Sequence, residues 1–199
     1  MSKSDPSASK KERNKTIQWV VTIFIITILI SALIAFVSDE LMDVSPIWVA
    51  FLILLVIVIL GIVFDIVGVA VTSADEKPFH SMAARKVPGA HEAIALLRSA
   101  EKVSSICNDV IGDICGVVSG TAAATISASV LMNMENSVTM ADVVPLVMSA
   151  LVAGITVGGK ALGKKFAINS CTGIVSLTGR VIYFLKHIPD LFKRKKSNS

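Results

Sequence analysis

The sequence predicts an all-α integral membrane protein with four transmembrane helices, and three observations support this fold class. Of the 199 residues, 53% are hydrophobic and only 17% are charged, whereas a soluble domain of this length carries more charge. The apolar residues are gathered into four long runs. The nineteen Lys and Arg residues fall into the stretches 3–15, 77–102 and 160–196, and the acidic connecting segments 38–46 and 133–142 contain none. Such an asymmetry of basic residues is typical of a multi-pass membrane protein.

The first predicted span covers 17–37 and follows a basic N-terminal segment, 1–16, which we expect to be disordered and cytoplasmic. The span is longer than the apolar region of a signal peptide and can cross about 30 Å of hydrocarbon. We therefore interpret it as an uncleaved signal anchor that forms an additional N-terminal transmembrane helix.

The second span is predicted over 47–71, where Asp65 is the only charged residue. The following stretch, 73–102, is amphipathic and is divided by Pro88 and Gly89, which break helices. We expect it to form a juxtamembrane helical hairpin at the inner membrane surface, between spans two and three.

The third and fourth spans are predicted over 104–132 and 143–159, followed by an interfacial helix over 174–192 and a basic cytoplasmic tail, 183–199. Glycines recur at four-residue spacing in both spans, a pattern that lets helix backbones approach closely in lipid. The predicted helix-packing residues are Gly112, Gly116, Gly120, Gly154 and Gly158.

The basic segments fix the expected orientation, with both termini cytoplasmic and the chain in the plasma membrane. The lipid bilayer is the first expected partner. Nucleic acid is not, because the basic residues flank apolar runs, as membrane anchors do. The sequence contains no nucleophile elbow, phosphate loop or HExxH motif, so we predict no enzymatic role.

Ionisable residues in or beside the spans are the candidate functional residues, because each costs several kcal/mol at membrane depth unless it is paired or solvated. They are Asp65, Asp109, Asp113 and Lys160. In one interpretation the side chains of Asp65, Asp113 and Lys160 converge on a shared site between spans. In another, Lys160 only neutralises an aspartate in an ion pair that fixes helix register.

Asp109 and Asp113 lie one helical turn apart, and Gly116 and Gly120 continue the same face. We expect these carboxylates to point toward the seam where helices pack, unless Asp109 is simply hydrated at the cytoplasmic interface. With the neighbouring Asn108 they offer the oxygen ligands that Mg²⁺ prefers.

An aspartyl intramembrane protease is a further interpretation, because Asp65 and Asp113 lie on separate spans in the phrases Phe-Asp and Gly-Asp. The first glycine of the Gly-x-Gly-Asp motif is replaced by Val110, and there are too few spans.

Three phrases carry a family resemblance. Residues 64–73 read Phe-Asp-Ile-Val-Gly-Val-Ala-Val-Thr-Ser, residues 106–112 read Ile-Cys-Asn-Asp-Val-Ile-Gly, and residues 159–167 read Gly-Lys-Ala-Leu-Gly-Lys-Lys-Phe-Ala. In this order, with a hairpin between the first two, the region 47–182 resembles the transmembrane domain of the CNNM/CorC (CorB) magnesium and cobalt transporter family. The resemblance implies a homodimer that transports Mg²⁺ held by polar groups of these phrases. No CBS-pair module follows within the 199 residues, and span 17–37 is additional.

The chain departs from the family at the ion site. Asn108 is retained, but Gly112 stands at the second asparagine, Lys160 at the glutamate of the last phrase, and Asp65, Val67 and Gly68 at the polar positions of the first.

Two functional hypotheses follow. The first is a divalent-cation transporter of the Mg/Co type, or an ion-coupled relative, without a resident cofactor. Its ion-binding residues would be Asp65, Asn108, Asp109, Asp113 and Lys160, with Asp65, Asn108 and Asp113 as metal ligands. In the second, the Lys160 ammonium replaces the bound cation. The protein would then be a non-transporting scaffold or accessory subunit of an unidentified membrane partner.

Overall fold

A computed structural model of the chain describes residues 6–43, 46–132 and 138–196, with side chains described over 16–37, 40, 46–131 and 143–187. The described residues are helical and contain no strand. The helices are α1 (Pro6–Asp43), α2 (Ile47–Ser73), α3 (Lys77–Ala84), α4 (Ala90–Arg98), α5 (Ala100–Ser104), a π-helix (Ser105–Gly112), α6 (Asp113–Met132), α7 (Val138–Asn169) and α8 (Cys171–Lys196).

Four stretches of the described helices are long and apolar enough to cross a membrane, which confirms the predicted number of candidate spans and is consistent with a multi-pass membrane protein. They are Thr16–Val37, Ile47–Ser73, Ala100–Leu131 and Val143–Asn169. The fourth extends beyond the predicted end at 159. Lysine is a good helix former, so Lys160, Lys164 and Lys165 do not end this helix, although they end the apolar run.

α2 is the central element of the bundle and contacts α5, the π-helix, α6, α7 and α8. One apolar cluster lies between α2, α6 and α7, with Leu54, Ile126 and Val152 buried in it. α1 packs at the edge, where Ile23, Ile30 and Ile34 contact a second cluster on the third span. Most of the α1 side chains that the structure describes, 16–37 and 40, are therefore exposed.

Two short helices, α3 and α4, separate the second and third spans. They are divided around Pro88 and Gly89, as expected, and Gly89 enters α4 with a left-handed φ of 85°. Phe79 of α3 is fully buried in a third apolar cluster, which also includes Val71 and Val175. The cluster joins the ends of α2 and α8 to α3 and α4. The positions of α3, α4 and α8 relative to a membrane stay a prediction.

Helices pack closely at three glycines that are not among the predicted packing residues. A Cβ added to Gly61 of α2 would lie 2.9 Å from the Cβ of Cys115, and one added to Gly163 of α7 would lie 2.8 Å from Cγ1 of Ile66. A Cβ on Gly159 would collide with Ile62. These glycines let α2 approach both the third and the fourth span, which encloses the polar residues described below.

Among the predicted packing glycines, Gly112 alone contacts neighbouring side chains within the described part of the chain. Nothing described lies within 4 Å of a Cβ built on Gly116, Gly120, Gly154 or Gly158. These four glycines do not hold the helices of a single chain together. Their role in packing against a second copy stays a prediction.

Candidate functional site

The candidate site is a polar seam where spans two, three and four meet, formed by Asp65, Asn108, Gly112 and Lys160. Asp65 of α2 is 4% exposed, and its Oδ2 atom has no hydrogen-bond partner among the described residues. Gly61 and Gly68 precede and follow Asp65 by about one turn. Because both glycines face the third span closely, the carboxylate is enclosed between the two helices.

The π-helix Ser105–Gly112 forms the opposite wall of the seam. Asn108 lies here, and its amide nitrogen donates a hydrogen bond to Oγ of Ser104 at 3.2 Å. Its Oδ1 atom is buried and, within the described residues, accepts no hydrogen bond. It points at Gly68, where an added Cβ would collide with it. Short π-helical segments occur frequently at functional sites, and this one directs an amide oxygen toward α2.

Lys160 closes the seam from α7, with its side chain only 20% exposed. Its ammonium group donates a hydrogen bond to the carbonyl oxygen of Gly112 at 3.3 Å and lies 3.8 Å from Oδ1 of Asp113. A Cβ built on Gly112 would be 3.4 Å from the Lys160 nitrogen and 3.9 Å from Oδ1 of Asp65. The ammonium and the buried carboxylate therefore both lie within 4 Å of the point where a side chain of residue 112 would begin.

The expectation that Asp109 and Asp113 point into the seam is wrong for a single chain. Both are exposed, and the Asp113 side chain is 74% exposed. The two carboxylates do share a face with Gly116 and Gly120, but this face is the open one. Cys107, Val110 and Cys115 turn toward the bundle instead. Asp113 lies at the rim, where it contacts Lys160, and Asp109 takes no part in the seam.

The oxygen atoms available to a cation are the Asp65 carboxylate, the Asn108 amide oxygen and the Gly112 carbonyl. These are hard ligands of the kind that Mg²⁺ uses. Of the three predicted metal ligands, Asp65 and Asn108 face the seam and Asp113 lies at its rim. No group of three or more His, Cys, Asp or Glu residues is assembled as a metal site in the described part of the chain.

The sequence interpretation missed Gly61, Gly68 and Ser104. A signal for the first two was present, because glycines one turn on either side of an intramembrane aspartate indicate that its face is packed closely. Ser104 lies four residues before Asn108, where helical neighbours meet.

No protein-family model, no curated protein and no solved structure matches this chain. The functional assignment therefore depends on the geometry of the polar seam.

Proposed function

We propose that this protein transports a divalent cation of the Mg/Co type, or is an ion-coupled relative, and that the ion passes through the polar seam. The observation that carries this proposal is the pair of buried oxygens, Asp65 Oδ2 and Asn108 Oδ1, which have no hydrogen-bond partner in the described structure. Buried acceptors are normally satisfied, and an unpaired one is costly. A cation bound in the seam would satisfy these two acceptor oxygens.

The small number of protein ligands is consistent with Mg²⁺, which dehydrates reluctantly and is usually held by one or two carboxylates with several waters. In this proposal Asp65 supplies the charged ligand and Asn108 and Gly112 supply neutral ones. Lys160 acts as a tethered positive charge beside the site. Its ammonium can approach the Asp65 carboxylate when the ion leaves, because Gly112 places no side chain between them.

The proposed setting is the plasma membrane. The proposed orientation, with both termini cytoplasmic, is based on the distribution of basic residues. In this orientation α3, α4 and α8 lie at the inner surface. The proposed topology and ion class follow the sequence resemblance to the CNNM/CorC family, from which the chain departs at the ion site.

We also propose that the protein is a homodimer. The exposed face of the third span carries Asp113 and Gly120 beside the apolar Val117, whereas the exposed face of α2 carries mainly large apolar residues such as Leu55 and Ile59. A carboxylate that faces lipid costs several kcal/mol. A second copy that covers this face would shield Asp113 and use the open glycines.

The test is cation flux into proteoliposomes that contain a Mg²⁺-sensitive dye. The parent protein should show flux, and Asp65→Asn, which keeps the shape and removes the charge, should abolish it. Asp75→Asn is the matched control, because Asp75 is exposed in the connection before α3. Equal flux in the parent and in Asp65→Asn would contradict the assignment of Asp65.

A non-transporting scaffold or accessory subunit is the second candidate function. It is favoured by the position of the Lys160 ammonium, 3.3 Å from the Gly112 carbonyl, where it can replace a bound cation. This candidate predicts no flux of any cation through the parent protein and a loss of thermal stability in Lys160→Met.

A further inference from the structure

A cavity of about 520 Å³ opens where the first and third spans begin, away from the polar seam. Its lining residues are Thr16, Gln18, Trp19, Thr22, Glu101 and Lys102. The spans Thr16–Val37 and Ala100–Leu131 are the first and third of four. Because alternate spans start on the same side of a membrane, the cavity lies at the level of the interface. Its volume is within the range of small-molecule sites.

The cavity presents a positive charge and a negative charge side by side. The Lys102 nitrogen lies 5.5 Å from the centroid of the Trp19 ring, a cation–π arrangement that holds the ammonium over the cavity. Glu101 is exposed and, in the described part of the chain, has no ion-pair partner within 4 Å. A ligand that combines a phosphate with a primary amine matches this pair.

The cavity also lies against the first span, in which none of the described residues 16–37 is buried. α1 contacts the third span mainly through Ile23, Ile30 and Ile34. These three residues come after the α1 residues that line the cavity, which end at Thr22. The segment of α1 that contains Thr16 and Trp19 is separated from α5 by the cavity. An open surface groove along residues 97–102 shares Glu101 and Lys102 and includes Arg98. A molecule that binds both helices would fix α1 to the bundle.

We propose that this cavity binds the headgroup of phosphatidylethanolamine from the surrounding bilayer. Lys102 binds the phosphate, with the Gln18 amide as a second donor, and Glu101 binds the ammonium group. The acyl chains extend along the apolar surface of α1. An anionic lipid without an amine would place its negative charge close to that of Glu101 and leave Glu101 unpaired. A choline headgroup has no N–H group and cannot donate a hydrogen bond to Glu101.

The experiment uses Trp19 as the reporter. The chain contains two tryptophans, so Trp48→Phe in the 199-residue chain leaves Trp19 as its single tryptophan. In detergent, this protein is titrated with short-chain phosphatidylethanolamine, phosphatidylglycerol and phosphatidylcholine, and with free phosphoethanolamine. Phosphatidylethanolamine should give a saturable change in emission. Lys102→Met and Glu101→Gln should each weaken its binding by about tenfold, as expected for a lost charged hydrogen bond.

Lys164→Met removes an exposed lysine far from the cavity in sequence and should titrate like the parent. Equal affinity for phosphatidylglycerol, or unchanged binding in Lys102→Met, would overturn the proposal. A response to free phosphoethanolamine at the same concentration would also overturn it, since the ligand would then be a soluble phosphate ester. Far-ultraviolet circular dichroism of each variant checks that the helices are retained.

Discussion

The ammonium group of Lys160 lies 3.3 Å from the carbonyl oxygen of Gly112 and so joins the fourth span to the π-helix of the third. Oδ1 of Asp65 approaches the same glycine from the second span, at 3.9 Å from the position of an added Cβ. Three spans therefore meet at one residue without a side chain. Asp65, Asp113 and Lys160 bring two carboxylates and one ammonium group to this meeting point.

The interaction between Lys160 and Asp113 should be weak in the isolated chain. Their charged atoms are 3.8 Å apart, and the Asp113 side chain is 74% exposed. In a double-mutant cycle with Lys160→Met and Asp113→Asn, we expect a coupling energy of about 1 kcal/mol or less. The measurement is thermal unfolding of the monomer in detergent. A coupling energy well above this value would show a tightly held ion pair that fixes helix register instead.

Gly61→Ala should destabilise the bundle. The added methyl group would lie 2.9 Å from the Cβ of Cys115, and a Cβ cannot turn away as the end of a flexible side chain can. Overpacking of this kind costs about 1–3 kcal/mol, measurable as a lower free energy of unfolding in detergent. Gly173→Ala is the control, since Gly173 lies on α8, outside the proposed dimer face, and no described neighbour lies within 4 Å of its Cβ position. Equal stability of the two variants would place the contact between α2 and α6 elsewhere.

Gly120→Leu should disrupt the proposed homodimer while leaving the fold of each chain intact, because no described atom lies within 4 Å of a Cβ at Gly120. Single-molecule photobleaching in bilayers should show two steps for the parent and one for the variant. Val63→Leu adds bulk to an exposed, apolar position of α2 and should remain dimeric. A dimeric Gly120→Leu would exclude this face as the interface.

Gly89→Ala should separate α4 from α8. Gly89 has a φ of 85°, which costs about 1–3 kcal/mol for a residue with a side chain. Its Cβ would also lie 2.5 Å from the backbone nitrogen of Arg180. We expect faster trypsin cleavage at Arg85 and Lys86, which are exposed beside Gly89. Gly173→Ala, at an open position, should be cleaved at the rate of the parent.

The spans could be predicted from the sequence because hydropathy and the placement of basic residues report directly on contact with lipid. The division at Pro88 and Gly89 could also be predicted, since it depends on local backbone chemistry. Neither signal depends on how the helices are arranged.

The packing partners could not be predicted in this way. The four-residue glycine spacing in the third span correctly grouped Asp113, Gly116 and Gly120 on one face, but it assigned that face to the interior of the bundle. Which face is buried depends on the neighbouring helices. Here Gly61 and Gly68 of α2 let the face with Cys115 and Asn108 pack against α2. The π-helix had no signal in the local sequence.

Binding of Mn²⁺, a paramagnetic substitute for Mg²⁺, to the purified protein tests most directly whether the polar seam holds a cation. Electron paramagnetic resonance counts free Mn²⁺ as protein is added. The proposed site predicts saturable binding that Asp65→Asn abolishes and Asp75→Asn retains. Binding that is absent from the parent, or equal in the parent and Asp65→Asn, would contradict a cation site between these three spans.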